Sequence, residues 1–208
     1  MVFSRNSWAK LYKIFFLITI FFISKTYPFR FFKKSLFRSS QDNFYEVEKG
    51  TFYRSKQLTP KRLSFFIKKF KIKTIINLRG ENKNKSWWRR EKKVAEKLKL
   101  NFYNIPMSAR RLPHKKDLAT LLNLYENAPR PILVHCHSGA DRTGEAAALW
   151  ILDQQKKRRK DALKQLRLKY GHLKFKRPSK RFFIKIWNGR KWALNQYNPK
   201  LYPKYYPI

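Results

Sequence analysis

Apolar and polar positions follow two periods along this chain, and the switches between them mark its elements. Phe44-Tyr45-Glu46-Val47 and Thr51-Phe52-Tyr53-Arg54, joined across Lys49-Gly50, alternate as a small hairpin does. Thr59 before Pro60 has the chemistry of a helix start, and Leu63, Phe66, Ile67 and Phe70 then recur at helical spacing. Lys73 to Leu78, with its β-branched run Thr74-Ile75-Ile76, reads as a buried strand. A helix is expected from about Trp87 to Leu98 with Val94, Ala95 and Leu98 on one face, then a short strand from Asn101 to Ile105. Leu118, Leu121, Leu122 and Tyr125 mark another amphipathic helix, Ile132 to Val134 a central strand, and a helix is expected from about Thr143 to Gln155. A last helix is expected over Asp161 to Tyr170, with Leu163, Leu166 and Tyr170 inward. Strands alternating with helices predict an α/β fold, a central, mostly parallel sheet flanked by helices on both faces.

The amino end departs from this pattern. Ile14 to Ile23 is a dense apolar run, preceded by Arg5, Lys10 and Lys13 and followed by Lys25, Arg30, Lys33 and Lys34. Its uncharged core, Ile14 to Ser24, is shorter than the roughly 20 residues of a full span. Snorkelling lysines and the interfacial aromatics Trp8, Tyr12 and Tyr27 extend its reach, and no small-x-small cleavage site follows. Residues 1–27 are therefore expected as an N-terminal membrane anchor or signal-like segment, placing the protein at a membrane. A cleaved export signal or a soluble or peripheral segment are the alternatives, and bases on both sides leave the orientation open. A basic linker over 28–43 then leads to one domain over 44–190 and a basic, aromatic C-terminal tail over 191–208, a domain long enough to bury a real core.

Charge narrows the partners. Lys and Arg number 50 against 12 Asp and Glu, a formal net charge of +38. Residues 156–208 hold 18 bases and one acid, Asp161. Such a field gathers anions: nucleic acid, anionic lipid headgroups or phosphorylated substrates. No named nucleic-acid module is visible, the run Lys156 to Lys160 has the character of a solvated helix end, and nucleic acid is not the expected partner. The single cysteine excludes an intramolecular disulfide. His135 and His137 lack the spacing and company of a metal site, and neither a metal nor a cofactor is expected. Oligomeric state is not legible here.

That cysteine, Cys136, lies in His135-Cys136-His137-Ser138-Gly139-Ala140-Asp141-Arg142-Thr143-Gly144, after the apolar run Pro131 to Val134. The layout reads as strand, tight loop and helix, with the thiol at the top of the strand. Loop amides and the positive end of a helix hold the oxygens of a phosphate and favour a thiolate. Residues His137 to Arg142 are the expected phosphate binders, with Arg142 offering a planar fork to two oxygens. Gly139 lets the loop turn, Gly144 lets the helix pack closely against the sheet, and Thr143 is placed to donate to the sulfur. His135 is expected to fix the loop by hydrogen bonds, and His137 to face either substrate or solvent.

At this loop the sequence resembles the cysteine-dependent phosphatases, the tyrosine and dual-specificity superfamily that includes lipid and inositol phosphate phosphatases. Gly50 to Gln57 and Thr74 to Gly80 look like the tyrosine-arginine-serine-x-glutamine and isoleucine-asparagine-leucine-arginine stretches of bacterial and plant-fungal atypical dual-specificity phosphatases. The resemblance covers roughly residues 44–187 and is specific at the loop. It implies a dual-specificity-phosphatase-like fold and phosphomonoester hydrolysis, with Cys136 as nucleophile, a cysteinyl-phosphate intermediate and Arg142 stabilising transferred charge. Arg54 and Arg79 are candidates for the site rim, with surface charge or a salt bridge to an acid such as Glu81 as the alternative.

The proton donor is less defined. Relatives place an aspartate on a separate loop before the cysteine, yet Ile105 to Pro113 holds no acid. Asp117 opens a helix, where a first-turn charge is ordinary. The Asp141-Arg142-Thr143 arrangement resembles that of myotubularin-type lipid phosphatases, which implies Asp141 as general acid, with Asp117 or water as alternatives. Together these features suggest a membrane-associated phosphatase with a phospholipid or other anionic membrane phosphate as substrate. The alternatives are a protein tyrosine or dual-specificity phosphatase acting on phosphoproteins, or a catalytically weak phosphate- or nucleic-acid-binding module.

Overall fold

The structure, a computed structural model, describes residues 41–207. The anchor expected over 1–27 and most of the linker lie outside them. Among the described residues no helix is long and apolar enough to cross a membrane. Five strands, β1 (Tyr45–Glu48), β2 (Phe52–Ser55), β3 (Thr74–Asn77), β4 (Asn101–Asn104) and β5 (Ile132–His135), form one sheet in the order β1-β2-β5-β3-β4. β1 pairs antiparallel with β2; every other pairing is parallel. The interior strands β2, β3 and β5 are buried along their whole length, whereas the edge strands β1 and β4 are partly exposed.

Side-chain alternation sorts the strands' residues onto two faces. Phe52, Ile76, Ile132 and Val134 join the larger core, under α3 (Lys115–Asn127), α4 (Asp141–Asp153), α6 (Pro178–Ile186) and α7 (Gly189–Asn195). Tyr53, Ile75 and Leu133 join the smaller one, under α1 (Pro60–Phe70) and α2 (Ser86–Lys97). Thr59 caps α1 as expected, its hydroxyl accepting from the Arg62 amide.

Two elements differ from expectation. The helix expected over Asp161 to Tyr170 is broken into the short α5 (Arg159–Ala162) and two 3-10 turns, Leu163–Gln165 and Leu168–Tyr170. Leu166 alone of its three expected inward residues is fully buried. The chain beyond 190 also packs into the larger core through Ala193, Tyr197 and Tyr206, with the Tyr206 hydroxyl bonded to His114 and the Tyr197 hydroxyl donating to the Pro113 carbonyl at 2.8 Å. Amphipathic spacing in 178–195 and these tyrosines draw the end of the chain inward, so 191–207 is not a free tail.

Candidate active site

The parallel register sets the site. Ser55, His135 and Asn77 stand side by side at the carboxyl ends of β2, β5 and β3. The segments that follow them, 56–57, 136–142 and 78–80, therefore meet at one edge, where ligands bind in open α/β sheets. Cys136 lies at the floor of this edge, 2 % exposed.

Four consecutive carbonyls of the loop are each held by a donor. His137 O accepts from the Gln57 amide at 3.1 Å, and Ser138 O from Asn43 Nδ2 at 2.9 Å. Gly139 O accepts from Arg54 Nη2 at 2.6 Å, and Ala140 O from the Gly144 amide at 3.1 Å. A planar trans peptide points its N–H opposite its C=O. The amides of Ser138, Gly139, Ala140 and Asp141 therefore point away from those donors, and none donates to another described residue. The result is a ring of unspent N–H groups, an anion nest opening α4.

Gly139 makes that ring possible. Its φ is +74°, and a Cβ there would sit 2.8 Å from the Lys56 nitrogen and the Ser55 carbonyl carbon. Arg54 braces the same turn from below. It is fully buried, donates also to the Gln165 backbone and side chain at 2.9 and 2.7 Å, and packs over the Tyr170 ring at 4.0 Å. Burial lowers its guanidinium to about 10. Arg54 is thus neither a rim residue nor a partner of a carboxylate; Glu81 faces Lys83 instead.

Arg142 donates through Nη1 to the Leu78 carbonyl at 3.2 Å, while its buried Nε has no partner among the described residues. His135 turns to the α2 side, where its Nε2 lies 2.8 Å from Glu91 Oε1. Glu91 also accepts from Gln57 Nε2 at 2.8 Å, and Gln57 Oε1 accepts from Arg79 at 3.0 Å. His137 and Ser138 are exposed on the outer side of the loop. Two expectations are corrected. The Thr143 hydroxyl is buried with no hydrogen bond, so it does not donate to the Cys136 sulfur. Gly144 makes room for a turn rather than the sheet: a Cβ there would meet Leu166 Cδ2 at 2.8 Å and the Gln165 carbonyl at 2.9 Å.

Asp141 has partners the sequence did not reveal. His172 Nδ1 lies 2.7 Å from its Oδ1, and Arg177 Nε 3.8 Å from its Oδ2. With His137, Ser138 and Tyr170 it lines a cavity of about 410 Å³. Asp117 lines a different cavity, of about 550 Å³, with Asn104, Pro106 and His114, and burial raises its carboxyl above the ordinary value. The acid-free segment from Ile105 to Pro113 is fastened: Ser179 Oγ donates to Arg110 O at 2.6 Å, and Lys180 Nζ to Arg111 O at 2.7 Å. Lys180 also meets Glu145 at 2.8 Å with both side chains fully buried, and burial pushes Glu145 up to about 7 against the opposing pull of Lys180.

Sequence reading missed Asn43, Glu91 and His172, and gave Gln57 only as the end of a family-like stretch. Glu91 carried a signal, since Trp88, Glu91 and Ala95 share one helical face and all three are buried. His172 carried none, because a broken turn rather than a periodic element delivers it.

The family model described as DSP-PTPase phosphatase fused to NAD+ kinase matches residues 24–180. No curated protein matches the chain. Among solved structures, P. aeruginosa TpbA is similar with a TM-score of 0.57 at 19% identity, over 71% of this chain and 86% of that one. A cysteine-to-serine variant of TpbA in complex with pTyr gives 0.54 at 18%, over 72% and 91%. The core catalytic domain of the S. cerevisiae PP-IP phosphatase SIW14, in complex with citrate, gives 0.58 at 22%, over 71% and 86%. At such identities the likeness speaks for the fold.

Proposed function

The chain belongs to the DSP-PTPase phosphatases, the family described as fused to NAD+ kinase, and on that premise we propose that it hydrolyses phosphomonoesters at an anionic membrane surface through Cys136. The observation that carries the phosphate-binding part is the run of four unpaired amides, Ser138 to Asp141, that follows Cys136 in the loop, with the partly unpaired Arg142 guanidinium next in the chain. These amides and the start of α4 favour the negative charge of the phosphate oxygens. The Cys136 sulfur attacks phosphorus as the ester P–O bond breaks, and the leaving oxygen takes a proton from Asp141, with His172 behind it. Arg142 neutralises equatorial charge as the phosphoryl group passes. Water then cleaves the S–P bond, releasing inorganic phosphate and restoring the thiolate.

The membrane part is supported by the segment 166–181, which has no acid and exposes the bases Arg167, Lys169, Lys174 and Lys176. Within it Leu168 and Phe175 are 69% and 71% exposed, apolar tips among cations. Such a surface matches anionic headgroups above a hydrocarbon layer. The fold's other bearers act on other things: SIW14 is a PP-IP phosphatase, and TpbA is seen with pTyr. A phosphoprotein substrate is therefore the second reading. A phosphate-release panel of phospholipids, inositol phosphates and phosphopeptides, with Cys136→Ser as control, separates them. Release confined to phosphopeptides would overturn the membrane reading.

A further inference from the structure

A second guanidinium stands beside the loop. Arg79 directly follows Leu78, whose carbonyl accepts from Arg142 at 3.2 Å. Its Nη1 donates to Gln57 Oε1 at 3.0 Å, and the Gln57 amide donates to His137 O within the phosphate loop. Arg79 is thereby tied to the loop from two sides. Its guanidinium carbon lies 3.3 Å from the centre of the Trp87 ring, a flat stack that fixes the plane of the fork.

Among the described residues no carboxylate forms an ion pair with Arg79: Glu81 faces Lys83 at 3.7 Å, Glu91 lies 2.8 Å from His135 Nε2, and Asp141 lies 2.7 Å from His172 Nδ1. Burial and then the nearby Arg142 lower the Arg79 guanidinium below its ordinary value, against the opposing pull of Glu91 and Cys136. Two half-withdrawn cations at one edge repel each other until an anion joins them. One phosphoryl group is already matched by four amides and Arg142, so Arg79 is surplus to it. An ordinary surface arginine is free to swing into solvent; this one is held by a ring and a glutamine.

We propose that Arg79, stacked on Trp87, forms a second anion subsite, so that preferred substrates carry another phosphate within a bond or two of the scissile phosphoryl group. The proposal rests on the phosphatase reading above and names its substrate class. The second anion has two chemical sources, a soluble bisphosphate or diphosphate, or the phosphodiester of a lipid headgroup.

Calorimetric titration of the full-length Cys136→Ser chain with inorganic phosphate and with pyrophosphate tests the subsite without turnover. Pyrophosphate is expected to bind about tenfold tighter or better, and Arg79→Ala in the same background should shrink that ratio to within about threefold. Arg79→Lys, which keeps the charge but loses the fork and the stack, should fall between. Equal affinities in the parent, or a ratio that Arg79→Ala leaves unchanged, would overturn the proposal. The source is read from kcat/KM of the wild type and Arg79→Ala on an inositol monophosphate, its vicinal bisphosphate, and a phosphatidyl lipid bearing the same monoester. The larger Arg79→Ala loss, relative to the monophosphate, identifies the source; equal losses on all three would overturn the substrate class. No phosphate release from any of them, with the pyrophosphate preference intact, would sink the phosphatase reading and leave the subsite standing.

Discussion

Nε2 of His135 lies 2.8 Å from the Glu91 carboxylate, with both side chains almost wholly excluded from water. The residue before the nucleophile is thus oriented from a helix more than forty positions earlier, and the same carboxylate takes a bond from Gln57, whose amide holds the loop. Glu91→Ala removes the carboxylate beside the buried His135 imidazole and the acceptor of the half-buried Gln57 side-chain amide, which should cost about 1–3 kcal/mol of stability. The same change should slow alkylation of Cys136 by iodoacetamide at neutral pH. Glu91→Gln, which keeps an acceptor, should recover most of the stability. Wild-type stability and alkylation in Glu91→Ala would show that the pair does not hold the loop.

Asp141 and Asp117 make opposite kinetic predictions. If Asp141 donates the proton, Asp141→Asn slows turnover on alkyl phosphates about 10²-fold or more, and much less on aryl phosphates with good leaving groups. His172→Gln should reproduce the trend more weakly, since it touches Asp141 and not the reacting atoms. The raised carboxyl of Asp117 suits an acid as well. A leaving-group dependence confined to Asp117→Asn would move the role to its cavity.

Gly139→Ala should remove phosphate binding while the domain stays folded. The new Cβ would meet backbone atoms of Ser55 and Lys56, at a φ of +74° that L residues seldom adopt. The loop must then shift, and its amides with it. Equilibrium binding of vanadate should weaken by about tenfold or more, as expected when charge-assisted bonds lose their geometry. Unchanged vanadate affinity would contradict the nest.

The Glu145–Lys180 pair links stability to pH. Burial raises Glu145 from 4.5 to about 7 in the folded chain. Its contribution to stability is complete below pH 4.5, declines as pH rises between these values and is lost above about 7. Glu145→Gln should flatten that decline in urea titrations compared at pH ~5 and ~8. Lys180→Met, which strands a buried carboxylate, should cost about 3–5 kcal/mol at the higher pH, and adding Glu145→Gln should restore most of it. Identical pH dependence in wild type and Glu145→Gln would refute the assignment.

Periodicity made the sheet and its first four helices legible, because Leu63, Ile75, Leu121 and Val134 are apolar at positions the core requires. Cys136, Gly139 and Arg142 stood out for a different reason: a tight phosphate loop admits few residue types. The second layer was not legible. Arg54, Glu91 and His172 act through partners 31 to 111 positions away in sequence, and such pairings exist only once the strands are in register. Arg54 read as a rim charge because arginine is seldom fully buried; two carbonyls, a glutamine side chain and a tyrosine ring offset the cost. The turns after Ala162 read as one helix because Leu163, Leu166 and Tyr170 keep helical spacing while the backbone does not.

The central claim is that Cys136 itself receives the phosphoryl group. Rapid acid quench of the full-length chain with an aryl phosphate, followed by intact and peptide mass measurement, tests it most directly. A phosphoryl adduct on the peptide containing Cys136 is expected early in turnover, absent from Cys136→Ser, which should release no phosphate. Phosphate release by Cys136→Ser at the wild-type rate, or an adduct on another residue, would contradict the account.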